Sequence, residues 1–211
     1  MPKLDLRKIY RHLYQPSARQ VELVDVPPLQ FTMIDGAIEP EHGPGDSPAF
    51  QQAMEALYGI SYTLKFASKR RAENPIDYTV MALEGLWWVE KGAFDITNPA
   101  NWCWTAMIMQ PEHITDGMFQ EALAELHRKK PSPALDKLRL ETFHEGPSIQ
   151  IMHIGPYAEE PATIARMDAF AEEHGYVLHG KHHEIYTGDP RRAAAEKLKT
   201  VLRHPVWKAD V

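Results

Sequence analysis

IQIMHIGPYAEEPATIARMDAFAEEHGYVLHGKHHEIYT, residues 149–187, changes its apolar period twice. Ile149 to Ile154 is a β-rich run that Gly155-Pro156 closes, the signature of a strand. Glu159 to His174 then places Ile164, Met167 and Phe170 three residues apart, the spacing of one helical face, and Gly175 follows as a stop. Tyr176 to Thr187 is extended again, and Thr200 to Val206 predicts one more strand. The order is strand, helix, strand, strand.

The earlier chain gives the same order. Val21 to Ile34 has strand character, interrupted by Pro27-Pro28 as an edge or a bulge would be. Glu39 to Pro48 is a proline- and glycine-rich loop. Ser47 before Pro48 is an N-cap with proline at the first helical position, and the helix it opens carries Phe50, Met54, Leu57, Tyr58 and Leu64 and ends near Ser68. Tyr78 to Val89 and Trp102 to Met109 read as strands. A further helix spans roughly Thr115 to Lys130, and Leu138 to Phe143 is an extra strand. Met33-Ile34-Asp35-Gly36 and His153-Ile154-Gly155-Pro156 close the first strand of each half, and Leu83-Glu84-Gly85 and His183-Glu184-Ile185 hold comparable places further on. Such self-similarity points to a duplicated unit, with repeats over about 20–110 and 140–208. The fold class is therefore α+β: strand-helix-strand-strand modules, a mainly antiparallel sheet and a central groove.

Composition narrows the function classes. The chain has 211 residues, 44% hydrophobic and 25% charged, as a globular protein does. Its net charge of −6 offers no basic face for displacing counterions, so no nucleic-acid partner is expected. No run approaches the roughly 20 apolar residues of a membrane span, and Met1 to Gln15 has no continuous apolar run, so neither a membrane partner nor a secretory leader is expected. Leu6, Ile9, Tyr10 and Leu13 in that segment predict a short amphipathic helix ending before Pro16, an extension (residues 1–19) docked on the domain of residues 20–208. One cysteine, Cys103, excludes an intrachain disulfide and suits a reducing cytoplasm.

Strand alternation sorts the polar candidates. In His182-His183-Glu184-Ile185-Tyr186, placing Ile185 under the helices turns Glu184 and Tyr186 into the groove. The same rule groups Glu84 with Trp88, and Trp102 with Trp104, and it assigns Trp87 to the core. A strand carboxylate against aromatic walls is costly to bury unpaired. It fits a cationic aromatic ligand, at about 0.5–2 kcal/mol per cation–π contact, or a desolvated general acid or base. Pairing of Glu184 with Lys181 or an arginine on an open face, and plain aromatic packing, are the competing readings. His153, His174, His179, His182 and His183 invite a zinc reading, but adjacent histidines point to opposite faces and no HExxH or CxxC occurs, so no metal is expected. No Walker or Rossmann glycine pattern and no Gly-x-Ser-x-Gly elbow is present, so no cofactor is expected either.

Val24-Asp25-Val26-Pro27-Pro28 leading to Phe31-Thr32-Met33-Ile34-Asp35-Gly36 resembles the opening of the GyrI-like small-molecule-binding family. So do Glu84-Gly85-Leu86-Trp87-Trp88, His153-Ile154-Gly155-Pro156-Tyr157 with Glu160-Pro161-Ala162-Thr163-Ile164, His183-Glu184-Ile185-Tyr186 with Asp189-Pro190-Arg191-Arg192, and Glu196 to Arg203. The resemblance covers residues 20 to 208 and implies two modules around a groove. Related domains sense drugs in transcription regulators, holding lipophilic cations between a buried glutamate and aromatic rings. About 20 residues precede the domain here, so the resemblance implies a stand-alone protein. The subgroup with the Trp-Trp strand is similar to cyclopropanoid cyclopropyl hydrolases, which add water to spirocyclopropyl electrophiles. It implies Glu184 as the catalytic acid/base, Trp88 and Trp104 as aromatic wall, and Tyr157 and Tyr186 as polar handles. Glu84 and His153 are further candidate ligand contacts. Glu160 is a second carboxylate, or simply a helix-start residue favoured by the macrodipole. Binding without turnover would use the same pocket, and that alternative stays open.

Overall fold

The computed structural model describes residues 3–188 and 193–209; the segment Asp189-Pro190-Arg191-Arg192, one of those that carry the resemblance, lies outside them. In chain order the elements are α1 (Leu6–Ile9), α2 (Arg11–Tyr14), β1 (Glu22–Val26), β2 (Leu29–Ala37), α3 (Pro48–Lys69), β3 (Leu83–Val89), β4 (Trp102–Met109), α4 (Asp116–Lys129), β5 (Arg139–Phe143), β6 (Gly146–Ile154), α5 (Glu160–Glu173), β7 (Tyr176–Leu178), β8 (His182–Tyr186) and β9 (Lys199–Lys208). The Ser47 side chain accepts from the Phe50 amide and caps α3, and Thr115 caps α4 through the Met118 amide. The amino-terminal helix expected as one piece is two, separated at Tyr10. The strand expected from Tyr78 starts only at Leu83.

Among the described residues nine strands join one sheet in the order β1-β6-β9-β8-β3-β4-β2-β5, with β7 added to β9. Every pairing between these strands is antiparallel. One module is β2-α3-β3-β4 and the other β6-α5-β8-β9, and they meet where β3 pairs with β8. The strand before each module is exchanged. β1 leads into β2 but pairs with β6, and β5 leads into β6 but pairs with β2. Pro27-Pro28 makes the exchange by ending β1 without a ladder donor. The three Cα steps from Val26 to Leu29 reach at most about 11 Å, so the sheet must curl until its ends approach.

Curling gives the sheet two buried faces. α3 packs Phe50, Leu57, Ile60 and Leu64 on the outer face of β2 and β4, while α5 packs Met167 and Ala171 against Ile149, Ile151 and Leu202 on β6 and β9. The cleft between α3 and α5 is floored by β3 and β8. The inner, concave face is closed by α1 and α2, which bury Leu6, Leu13 and Tyr14.

Candidate functional site

Register assigns each candidate to a face. Glu184 pairs across the sheet with Gly85 on one side and Leu202 on the other. Leu202 lies under α5, so Glu184, His182 and Tyr186 point to the helix-bearing face. Trp87 pairs with His182 and with Trp104, and joins them there. Ile185 therefore faces the concave side, the reverse of the expected orientation. Glu184 keeps its place in the cleft because the helices lie on the cleft side.

Two candidates are corrected by the same register. Glu84 and Trp88 point to the concave face, away from Glu184. Trp88 is covered by the Lys181 ammonium, 3.3 Å from its ring, and lines no part of the cleft. Trp87 is core as expected, 1% exposed, and it also borders the cleft floor: its indole Nε1 donates to Tyr186 Oη at 3.0 Å. Gly85 makes this contact sterically feasible, because a β-carbon there would lie 2.8 Å from Trp87 Nε1 and 3.2 Å from Tyr186 Oη.

The cleft floor is a chain of polar groups in an aromatic frame. Tyr186 also bonds the Glu184 carboxylate, and burial together with that carboxylate's charge raises the phenol well above its ordinary range. Glu160, the first residue of α5, is 2% exposed. It bonds Thr200, but burial and then the charge of Glu184 push its carboxyl up to about 9, so it holds its proton at neutral pH. His182 Nε2 lies 3.4 Å from Glu184 Oε1. Three buried polar atoms on this face have no hydrogen-bond partner among the described residues: Glu160 Oε1, His182 Nε2 and Trp104 Nε1. Unsatisfied buried groups cost about 1–3 kcal/mol each, and a ligand's polar atoms could satisfy them. Phe50 sits 5.1 Å from Trp87 and 5.2 Å from Trp104, and Phe94 bridges Trp102 and His182. Tyr157, 41% exposed, stands edge-on to Tyr186 at the mouth.

Two candidates lie beside the cleft. Trp104 shares the face, but its ring lies over Gly36 beneath α3, with Trp87 between it and Glu184. His153 is buried and pairs its ring nitrogens with Thr163 Oγ1 at 2.9 Å and the Pro156 carbonyl at 3.2 Å. It holds the loop that presents Tyr157. An open cleft of about 620 Å³ lined by Ala18, His153, Glu159 and Arg166 lies next to that loop and does not include Glu184.

The concave face carries a network that the sequence reading missed. Tyr14 Oη donates to Glu84 Oε1 at 2.5 Å, and His183 Nε2 lies 3.1 Å from Glu84 Oε2. His183 Nδ1 lies 3.0 Å from both oxygens of Glu145, which also accepts from Arg203 Nη1 at 3.2 Å. Arg203 continues to Gln150 Oε1 and to the Leu13 carbonyl. Burial alone would raise Glu145 and lower His183, but their mutual attraction reverses both shifts; Arg203 helps to hold Glu145 at about 2, and the Glu84 hydrogen bond helps to hold His183 at about 9 against the repulsion of Arg203. The signal in the sequence was Arg203, a charge set between the apolar pairs Val201-Leu202 and Pro205-Val206 with only His204 beside it.

Among the described residues, no group of three or more His, Cys, Asp or Glu is placed to hold a metal ion, and no helix is long and apolar enough to cross a membrane.

Fold and cleft together define a duplicated α+β domain with a buried, acidic, aromatic-walled site. The profile of the GyrI-like small molecule binding domain matches residues 19–206, and the chain belongs to that family. The crystal structure of an uncharacterized conserved protein from Listeria innocua is similar at TM-score 0.87 and 36% identity, covering 97% of this chain and 100% of that one. That of a hydrolase from Listeria innocua is similar at TM-score 0.84 and 35% identity, over 98% of this chain and 100% of that one. The C-terminal domain of EcmrR shares the fold at TM-score 0.54 and 12% identity, over 90% of this chain and 98% of that one. No curated protein matches the chain.

Proposed function

We propose that this protein is a hydrolase that adds water to flat, hydrophobic, strained electrophiles, spirocyclopropyl cyclohexadienones in particular. The observation that carries the reading is the Glu184 carboxylate, 6% exposed on the cleft floor, beside a protonated Glu160 and under an indole frame. The similarity to a hydrolase over nearly the whole length of both chains supports it.

Glu184 takes a proton from water, and the water oxygen bonds to a cyclopropane carbon. The strained carbon–carbon bond breaks, and its electron pair moves through the ring to the dienone oxygen, giving a phenolate that takes a proton from solvent on release. The net change is the addition of one water. Trp87, Phe50 and Tyr157 hold the flat ring system, and Tyr186 orients Glu184. Glu160 Oε1 meets the ligand's polar atoms or the attacking water. A positioned base supplies about 10²–10⁴-fold in rate, so Glu184→Gln should lose turnover on that scale while still binding the neutral substrate.

The paired carboxylates favour a second reading, sequestration of a lipophilic cation without turnover. Cation–π contacts with Trp87 and Tyr157, about 0.5–2 kcal/mol each, would then add to neutralisation of Glu184. Thermal shift separates the two readings: stabilisation follows RT ln(1 + [L]/Kd). Glu184→Gln should abolish it for cations under the sequestration reading and spare it for neutral dienones under the hydrolase reading.

A further inference from the structure

Glu184 has a proton problem that its surroundings define. Once it has deprotonated water it must pass that proton on before the next turnover. Tyr186 already carries its own proton and directs it at Glu184. Glu160 is held protonated as well. Thr200 is occupied by Glu160. Among the described residues what remains is His182, 4% exposed, with no hydrogen-bond partner at Nε2, which lies 3.4 Å from Glu184 Oε1. Two residues apart on one strand, the pair shares a face by alternation alone.

We propose that His182 is a catalytic proton acceptor, taking the proton from Glu184 at Nε2 and releasing it outward at the surface side of α5. This deepens the hydrolase reading and rests on it. Glu184–H gives its proton to neutral His182, which restores the carboxylate and leaves an imidazolium; the imidazolium then loses a proton to the outside. No bond other than these N–H and O–H bonds changes.

The groups around His182 set the direction. Phe94 stacks on its ring at a centroid distance of 5.7 Å and closes one side. His204 on β9 lies 6.0 Å away, and burial, with the charges of His182 and His179, holds it down to about 4 against the opposing pull of Glu145. It stays neutral and competes poorly for the proton. On α5 the exposed Asp168 is within electrostatic reach of His182, and burial of part of its carboxyl raises its affinity for a proton. The path from Glu184 through His182 thus ends at a carboxylate in contact with water.

The test uses the full chain and the parent spirocyclopropyl cyclohexadienone in weak buffer. His182→Gln should lower kcat by about 10–100-fold with KM unchanged, and added imidazoles should restore turnover in proportion to their basicity. Asp168→Asn lies on the surface and should fold normally. It should lower kcat several-fold in weak buffer and recover fully in concentrated buffer. Turnover by His182→Gln equal to wild type overturns the relay alone. So does a loss that no imidazole rescues while Asp168→Asn is unaffected, because that is a packing defect. Absence of product from wild type overturns the hydrolase reading and the relay together.

Discussion

His182 and His183 are neighbours on β8 and lie on opposite faces of one sheet, each buried and each within reach of a glutamate. On the concave face His183 is saturated. Its two nitrogens meet Glu84 and Glu145, Arg203 balances the second carboxylate, and Gln150 and the Leu13 carbonyl take up the guanidinium. On the cleft face His182, Glu160 and Trp104 each retain a buried atom with no partner among the described residues, and the charge of Glu184 reaches the Glu160 carboxyl and raises it. Satisfied buried charge fixes structure, whereas unsatisfied buried charge stores free energy that a ligand can recover. One strand therefore carries a lock on one side and the candidate site on the other.

Removing a partner from the lock should give the largest effect. Arg203→Met leaves Glu145 facing His183 without its second cation, and breaking a buried pair costs about 3–5 kcal/mol. At about 2–4 °C per kcal/mol for a chain of this size, a thermal melt should show a fall of about 10 °C. A change under 2 °C would mean that the two faces do not differ as described.

The pH dependence of unfolding comes next. Glu145 is lowered from 4.5 to about 2, so its contribution is present above 4.5 and is lost as pH falls towards 2. His183 is raised from 6.5 to about 9, so its contribution is full below 6.5 and is lost as pH rises through 9. Urea titrations across pH should place the network's greatest contribution between these windows, and His183→Gln should flatten the alkaline limb.

The cleft should respond with the opposite sign. Glu160 is raised from 4.5 to about 9, so the folded state must keep a proton that the unfolded chain gives up, and stability falls as pH rises between those values. Glu160→Gln removes that liability. Its melting temperature should exceed that of wild type by several degrees at pH 8 and match it near pH 4.5. Destabilisation at pH 8 would place Glu160 with the lock rather than the site.

Tyr14→Phe should give the smallest of these effects. It strips one hydrogen bond from Glu84 and loosens α2 on the concave face, at about 1–2 kcal/mol. A melt within 1 °C of wild type would remove the amino-terminal helices from the network.

Much of this was legible in the sequence. The Ser47-Pro48 cap, the α5 periodicity and the repeated strand order give the fold class, and alternation on β8 singles out Glu184. What alternation cannot give is which parity faces the helices. β3 and β4 are buried on both faces, because the sheet curls and α1 and α2 close its inside, so no polar face marked the outside. Hence Trp88 and Glu84 were placed in the cleft, while Trp87, core as read, is the indole that shares a face with Glu184. Glu145 and Arg203 escaped because 58 residues of sequence separate them and only β6–β9 pairing brings them together.

The central claim is that Glu184 activates water in the cleft. Wild type and Glu184→Gln, each saturated with the parent spirocyclopropyl cyclohexadienone, should be followed by mass spectrometry for product one water heavier. The account predicts such product from wild type and a rate about 10²–10⁴-fold lower from the variant, with both proteins melting alike. Equal rates from the two proteins, or no product above buffer from wild type, would contradict it.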